Sequence, residues 1–131
     1  MKVSYKTLIE EAEKNIDSIS VDEVAGLLHD DTVTIVDIRD IRELQREGKL
    51  PGAVHAPRGM LEFWVDSDSP YHRELFSEEK RFVFYCASAW RSALATQTVQ
   101  QMGMSNVCHM SGGFTAWKEA KQPIEPVEKK N

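Results

Sequence analysis

The sequence has little of what usually announces a chemistry. It holds two cysteines, Cys86 and Cys108, with no Cys or His at metal-ligand spacing beside either. Neither a metal site nor a disulfide framework is therefore expected, and a reducing, cytoplasmic setting is the simplest one. No apolar run approaches membrane-spanning length, so no membrane partner is expected. The first residues, MKVSYKTLIEEAEKNI, are charged throughout and lack the apolar stretch and cleavage site of a signal peptide. Positive charge is not in excess either. Sixteen Lys and Arg against 21 Asp and Glu leave a net charge of -5, mixed along the chain, which argues against a nucleic-acid partner. The one basic cluster, Lys129-Lys130, reads as a frayed end. Internal repeats and low-complexity segments are absent.

What is present fits one domain. At 131 residues with 41% hydrophobic side chains, the chain can bury a core but has no room for a second folded unit. Tyr5, Leu8, Ile9, Ala12 and Ile16 recur at helical spacing behind a candidate cap, Ser4. Residues 1–17 are read as an accessory helix, 18–122 as the main domain and 123–131 as a tail. Ser20 with Glu23 has the form of a capping box for a short helix. Val33 to Val36 is a β-branched, nearly all-apolar strand that delivers Asp37 at its end, and Phe82 to Tyr85 is a second that runs into Cys86. Residues 40–47 read as a helix stopped by Gly48, and Ser92 to Met102 as another closed by Gly103. Asn106 to His109 forms a further strand, Gly112-Gly113 a turn, and Phe114 to Lys121 a last helix. Strands alternating with helices predict an α/β fold with a mainly parallel sheet and helices on both faces. Ligands bind such sheets beyond the carboxyl ends of the strands, where Asp37 and Cys86 fall.

Cys86 opens the segment Cys86-Ala87-Ser88-Ala89-Trp90-Arg91. A cysteine between a buried strand and a helix sits where backbone amides and the positive end of the helix dipole converge, a setting that favours thiolate. Arg91 sharpens the case. A cation in a first helical turn opposes the dipole unless an anion shares the place. Two readings remain open from these residues: a bound anionic substrate, or an inert, buried cysteine with Arg91 solvated or paired to a surface carboxylate.

Five ordered segments carry a resemblance to the rhodanese family, from about Ser18 to Lys121: Ile19 to Glu23, Val36-Asp37-Ile38-Arg39, Gly48 to Pro57, Tyr85 to Ser92, and Gly112 to Trp117. The resemblance implies the three-layer rhodanese fold and a sulfurtransferase that moves sulfur from a donor such as thiosulfate, or another persulfide or thiosulfonate, to a thiol or cyanide through a Cys86 persulfide. A protein donor or acceptor is a further partner it allows. No cofactor beyond the covalent persulfide is implied. The amides of Ala87, Ser88, Ala89, Trp90 and Arg91 would stabilise the persulfide, Arg91 would bind the donor's anionic group, Ser92 would donate to the sulfur, and Asp37 and Arg39 would organise the loop's base. The six-residue loop matches the family's sulfurtransferases; phosphatases on the same fold have one residue more. Two alternatives stand beside this: a sulfur-carrier or protein-binding module with little free turnover and, further off, a phosphatase or arsenate reductase.

The loop departs from the family in lacking the glycine and extra cation often found there. Trp90 with the segment Met60-Leu61-Phe63-Trp64 is therefore read either as an apolar rim for a larger thiol or protein, or as core. His55 is read as a packing residue rather than a base. His29, His72 and His109 are scattered, without ligand spacing, and Cys108 reads as a small buried residue.

Overall fold

A computed structural model describes residues 1–129. The tail reading for Lys130 thus lies outside the described residues. Five strands form one all-parallel sheet: β1 (Ser18–Ile19), β2 (Val33–Asp37), β3 (Val54–His55), β4 (Arg81–Tyr85) and β5 (Val107–Met110), in spatial order β1-β5-β4-β2-β3. Among the described residues six α-helices flank it: α1 (Tyr5–Asn15), α2 (Val21–Ala25), α3 (Ile41–Glu47), α4 (Leu61–Val65), α5 (Trp90–Gln101) and α6 (Gly113–Glu119). Among the described residues no helix is long and apolar enough to cross a membrane.

Strict alternation along β4 builds the two core layers. Val83 and Tyr85 face one cluster with Ile35, Met110, Phe114 and Trp117. Phe82, Phe84 and, one step past the strand, Cys86 face the other, with Val36, Leu61, Ala95 and Val99. Buried on both sides from Phe82 to Tyr85, β4 is apolar or aromatic at each of those positions, and only its exposed first residue, Arg81, is charged. The same alternation assigns β5: Cys108 and Met110 join the first cluster, Val107 the second. His109, opposite Phe84 in register, thereby shares the face of Cys86.

Helix starts follow their caps. Ser4 accepts from the Thr7 amide, and Ser20 with Glu23 and Asp40 with Glu43 close reciprocal capping boxes. The helix of residues 40–47 ends at Gly48, whose φ of 83° needs glycine. Two short elements escape the sequence reading. Strand β1 has two residues, too few for a period, and α4, flanked by 3-10 turns at Arg58–Met60 and Glu74–Ser77, is too short to show one. The first tail residues are also tied down: Lys49 and Glu125 exchange backbone hydrogen bonds of 2.9 and 2.8 Å, and the Trp117 indole donates to the Pro123 carbonyl at 2.8 Å.

Helix α1 lies along α5. Ile9, Ala12 and Ile16 close on Ala93, while Asn15 and Gln100 add polar bonds of 3.2 Å to Gln97 and 3.0 Å to the Asn15 carbonyl. Its N-terminal turn brings Tyr5 to Trp90, ring centroids 5.2 Å apart.

Candidate active site

The carboxyl end of β4 hands the chain to a loop that turns directly into α5. Cys86 is almost fully enclosed, at 1% exposure. Its Sγ accepts from the Ser92 amide at 3.4 Å and lies 3.6 Å from the Ser92 hydroxyl. Among the described residues no backbone carbonyl takes the amide hydrogens of Ala87, Ser88 or Ala89, leaving a short run of donors at the mouth of the site, where negative charge is stabilised.

Two features hold the loop. Ala89 adopts φ 76°, the left-handed conformation that glycine takes without strain. The glycine missing from the sequence is missing at a position whose backbone still takes glycine's shape. From below, the amides of Phe114 and Thr115 donate to the carbonyls of Cys86 (2.8 Å) and Ala87 (3.0 Å). Gly113 makes that approach possible, since a Cβ there would sit 2.6 Å from both carbonyl oxygens. The Gly112-Gly113 turn of the sequence is thus also the floor of the loop.

Arg91 finds its anion inside the protein. Its guanidinium grips Glu43 of α3 with bonds of 2.7 and 3.0 Å, and that grip holds the Glu43 carboxyl below its ordinary range. Of the two readings of this cation, carboxylate pairing is the one realised. Arg91 closes the loop that Cys86 opens, in the first turn of α5, so cation and sulfur belong to one loop.

Asp37 and Arg39 are fully buried. Arg39 donates to both Asp37 oxygens at 2.7 to 3.2 Å, to the Gly48 carbonyl at 2.7 Å and to Glu47 at 3.3 Å. Tyr85 donates to Asp37 at 2.6 Å and accepts from the Leu50 amide at 3.1 Å; burial, then the neighbouring carboxylate, push its phenol far up. Arg39 also lies over the Phe114 ring, 4.2 Å from its centroid. The pair therefore reaches the loop's base through Tyr85 and Phe114 and makes no direct bond to it. Glu43 pairs with Arg91, and the carboxylates that hold Arg39 are Asp37 and Glu47.

His55 Nε2 donates to the Arg39 carbonyl at 2.7 Å, the packing role read for it. Cys108 is buried in β5, and burial pushes its thiol up. Leu61 is buried and Trp64 packs on the core beneath Arg73. Phe63 and Trp90 are exposed, and Trp90 meets Tyr5. Leu61 turns inward and Trp64 packs partly on the core, and the aromatic neighbour of Trp90 is Tyr5 of α1.

His109 was passed over in sequence. It is 2% exposed, its Nδ1 is 2.9 Å from the Ser92 hydroxyl, and its Nε2 is 3.0 Å from the Ser18 hydroxyl. Burial pushes its pKa down to about 4, so the imidazole is neutral. What joins it to the loop is the register of β5 against β4, which ligand spacing does not reveal. Ser18, Ser88, Trp90, His109, Ser111 and Glu13 line a cavity of about 440 Å³ between α1 and the loop.

Comparison with known proteins adds to this geometry. The rhodanese-like domain matches residues 20–120. A mouse thiosulfate sulfurtransferase/rhodanese-like domain-containing protein 3 is 28% identical over 100 residues, 72% of this chain; the match spans 64% of that relative's own length. A human thiosulfate:glutathione sulfurtransferase is 28% identical over 108 residues, 78% of this chain and 93% of the relative. Among solved structures, a protein of unknown function from Rhodopseudomonas palustris, described as a possible tyrosine phosphatase, is 46% identical with a TM-score of 0.92, covering 95% of this chain and 96% of that one.

Proposed function

The chain belongs to the rhodanese-like domain family, and from that premise we propose that it is a sulfurtransferase that carries sulfane sulfur as a persulfide on Cys86. The observation that carries the reading is the Cys86 sulfur at the end of β4, held by the Ser92 amide at 3.4 Å beneath a six-residue loop with free amides. The Cys86 thiolate attacks the outer sulfur of a donor such as thiosulfate. A new S–S bond forms, the donor's S–S bond breaks, and sulfite leaves with the bonding pair. An acceptor thiol or cyanide then attacks the outer persulfide sulfur, and the Cys86 thiolate departs. The amides of residues 87 to 91 and the Ser92 hydroxyl hold the charge that moves outward, as an oxyanion hole does. Arg91 supplies positive charge at the donor's anionic end, in competition with Glu43. No resident cofactor or metal enters the cycle, and a protein donor or acceptor would use the same loop.

Steady-state assays with thiosulfate and either a thiol or cyanide test this. Double-reciprocal plots should be parallel, as a two-step exchange requires, and Cys86→Ser should have no turnover. Intersecting plots, or turnover surviving in Cys86→Ser, would refute it.

The description of the Rhodopseudomonas palustris protein favours one second reading, aryl-phosphate hydrolysis. Loop length weighs against it, because the six residues from Cys86 to Arg91 are one fewer than phosphatases on this fold have. Phosphatase activity abolished by Cys86→Ser would install that reading in place of the first.

A further inference from the structure

Four groups run in line from the reactive sulfur to the edge of the sheet. The Cys86 sulfur is 3.6 Å from the Ser92 hydroxyl, which is 2.9 Å from His109 Nδ1, whose Nε2 is 3.0 Å from the Ser18 hydroxyl. Ser92 is fully buried and His109 nearly so, while Ser18 is exposed at the sheet's edge. A serine hydroxyl beside a sulfur can point either way. The Ser92 hydroxyl has a competing acceptor, the Ala89 carbonyl at 3.3 Å, and something must decide its direction.

A neutral imidazole carries one N–H and one bare nitrogen. If Ser18 donates to Nε2, the ring proton sits on Nδ1 and is donated to the Ser92 oxygen. The Ser92 proton is then free to point at the sulfur, and every dipole in the chain points toward the negative charge. The opposite tautomer would turn Ser92 into a donor to the ring and leave the sulfur without it. We propose that His109, with its tautomer set by Ser18, is a positioning residue that makes Ser92 a hydrogen-bond donor to the Cys86 thiolate. This is the logic by which an outer partner fixes the tautomer of a ligating or catalytic histidine. The neutrality that burial enforces on the ring is what the device requires.

The charged groups near the sulfur come from other elements and stay constant through the test. Arg91 on α5 is paired with Glu43 on α3, and Glu13 on α1 faces the cavity that His109 and Ser18 share.

The proposal rests on Cys86 as the sulfur-bearing nucleophile, and its test separates the two. The rate of Cys86 alkylation by iodoacetamide is followed against pH by intact mass in His109→Leu, His109→Asn and Ser92→Ala. Leucine keeps the ring's bulk without a donor, whereas the asparagine amide places a donor near Nδ1. His109→Leu and Ser92→Ala should each move the alkylation midpoint up by about one pH unit, the tenfold expected when a hydrogen bond to an ionised group is lost. His109→Asn should hold the wild-type midpoint, and the Leu and Ala changes combined should shift no further than either alone. A packing role for His109 predicts the reverse order, with leucine tolerated and asparagine damaging, and that result overturns the proposal. Should His109→Leu not fold, Ser18→Ala at the exposed end carries the test, with an upward shift of about half a unit expected on the same scale and no shift contradicting it. A protein that shows these shifts yet takes no sulfur from thiosulfate would refute the sulfur-transfer reading and leave the positioning role standing.

Discussion

At the scale of single residues, the site is built from groups whose roles depend on the company they keep. Arg91 was legible as a misplaced cation, but its anion was not, because Glu43 sits 48 residues away and only the folded chain brings the two side chains together. That pair has a kinetic consequence. Glu43→Gln keeps an oxygen for the Asp40 capping bond and releases the guanidinium, so the KM for thiosulfate should fall severalfold in steady-state assays. Ala89 carries its cost in the backbone: a left-handed alanine is strained by about 1–2 kcal/mol. Ala89→Gly should raise stability in urea by about 1 kcal/mol once glycine's greater chain entropy is counted. His109 sets an acid limit. In the unfolded chain it takes a proton near 6.5, whereas in the fold burial delays protonation to about 4. The unfolded state therefore binds more protons as pH falls through this window, and stability drops with it, by about 3 kcal/mol at the most. Urea denaturation should show this loss, and His109→Asn should lack it.

At the scale of elements, the buried strands and capped helices declared themselves, and the two-residue strand β1 and the uncapped one-turn helix α4 did not. The apolar runs of β2 and β4 and the boxes at Ser20 and Asp40 are local signals. The length of β1 is set by its neighbour β5, which supplies its hydrogen bonds. The helix expected from Ser92 begins two residues earlier, at Trp90, because left-handed Ala89 lets the chain turn into it sooner. Helix α1 shows how an element outside the family match reaches the loop: Ile9, Ala12 and Ile16 anchor it on α5, and Tyr5 meets Trp90. Aromatic contacts contribute about 0.5–1.5 kcal/mol, and half-exposed rings belong at the low end. Trp90→Ala should therefore speed hydrogen exchange in the first turns of α1 by a few-fold while leaving β4 protected.

At the scale of the whole molecule, alternation of strands and helices was enough to foresee a parallel sheet with its chemistry at the carboxyl ends. The order β1-β5-β4-β2-β3 puts the loop after β4 in the middle of that edge, with Asp37 at the end of β2, Arg39 two residues beyond it, and His109 beside it on β5. Strand order is not written in a local pattern, which is why Cys86 could be singled out in sequence and His109 could not. The family relation gives the fold and the general kind of chemistry. The fate of the sulfur on Cys86 is the claim on which the rest depends, and mass spectrometry of the intact protein after thiosulfate treatment measures it directly. The wild-type protein should gain the mass of one sulfur atom, lose it on addition of cyanide or a thiol, and gain nothing as Cys86→Ser. A wild-type protein whose mass does not change, or a Cys86→Ser variant that gains sulfur, would contradict the account.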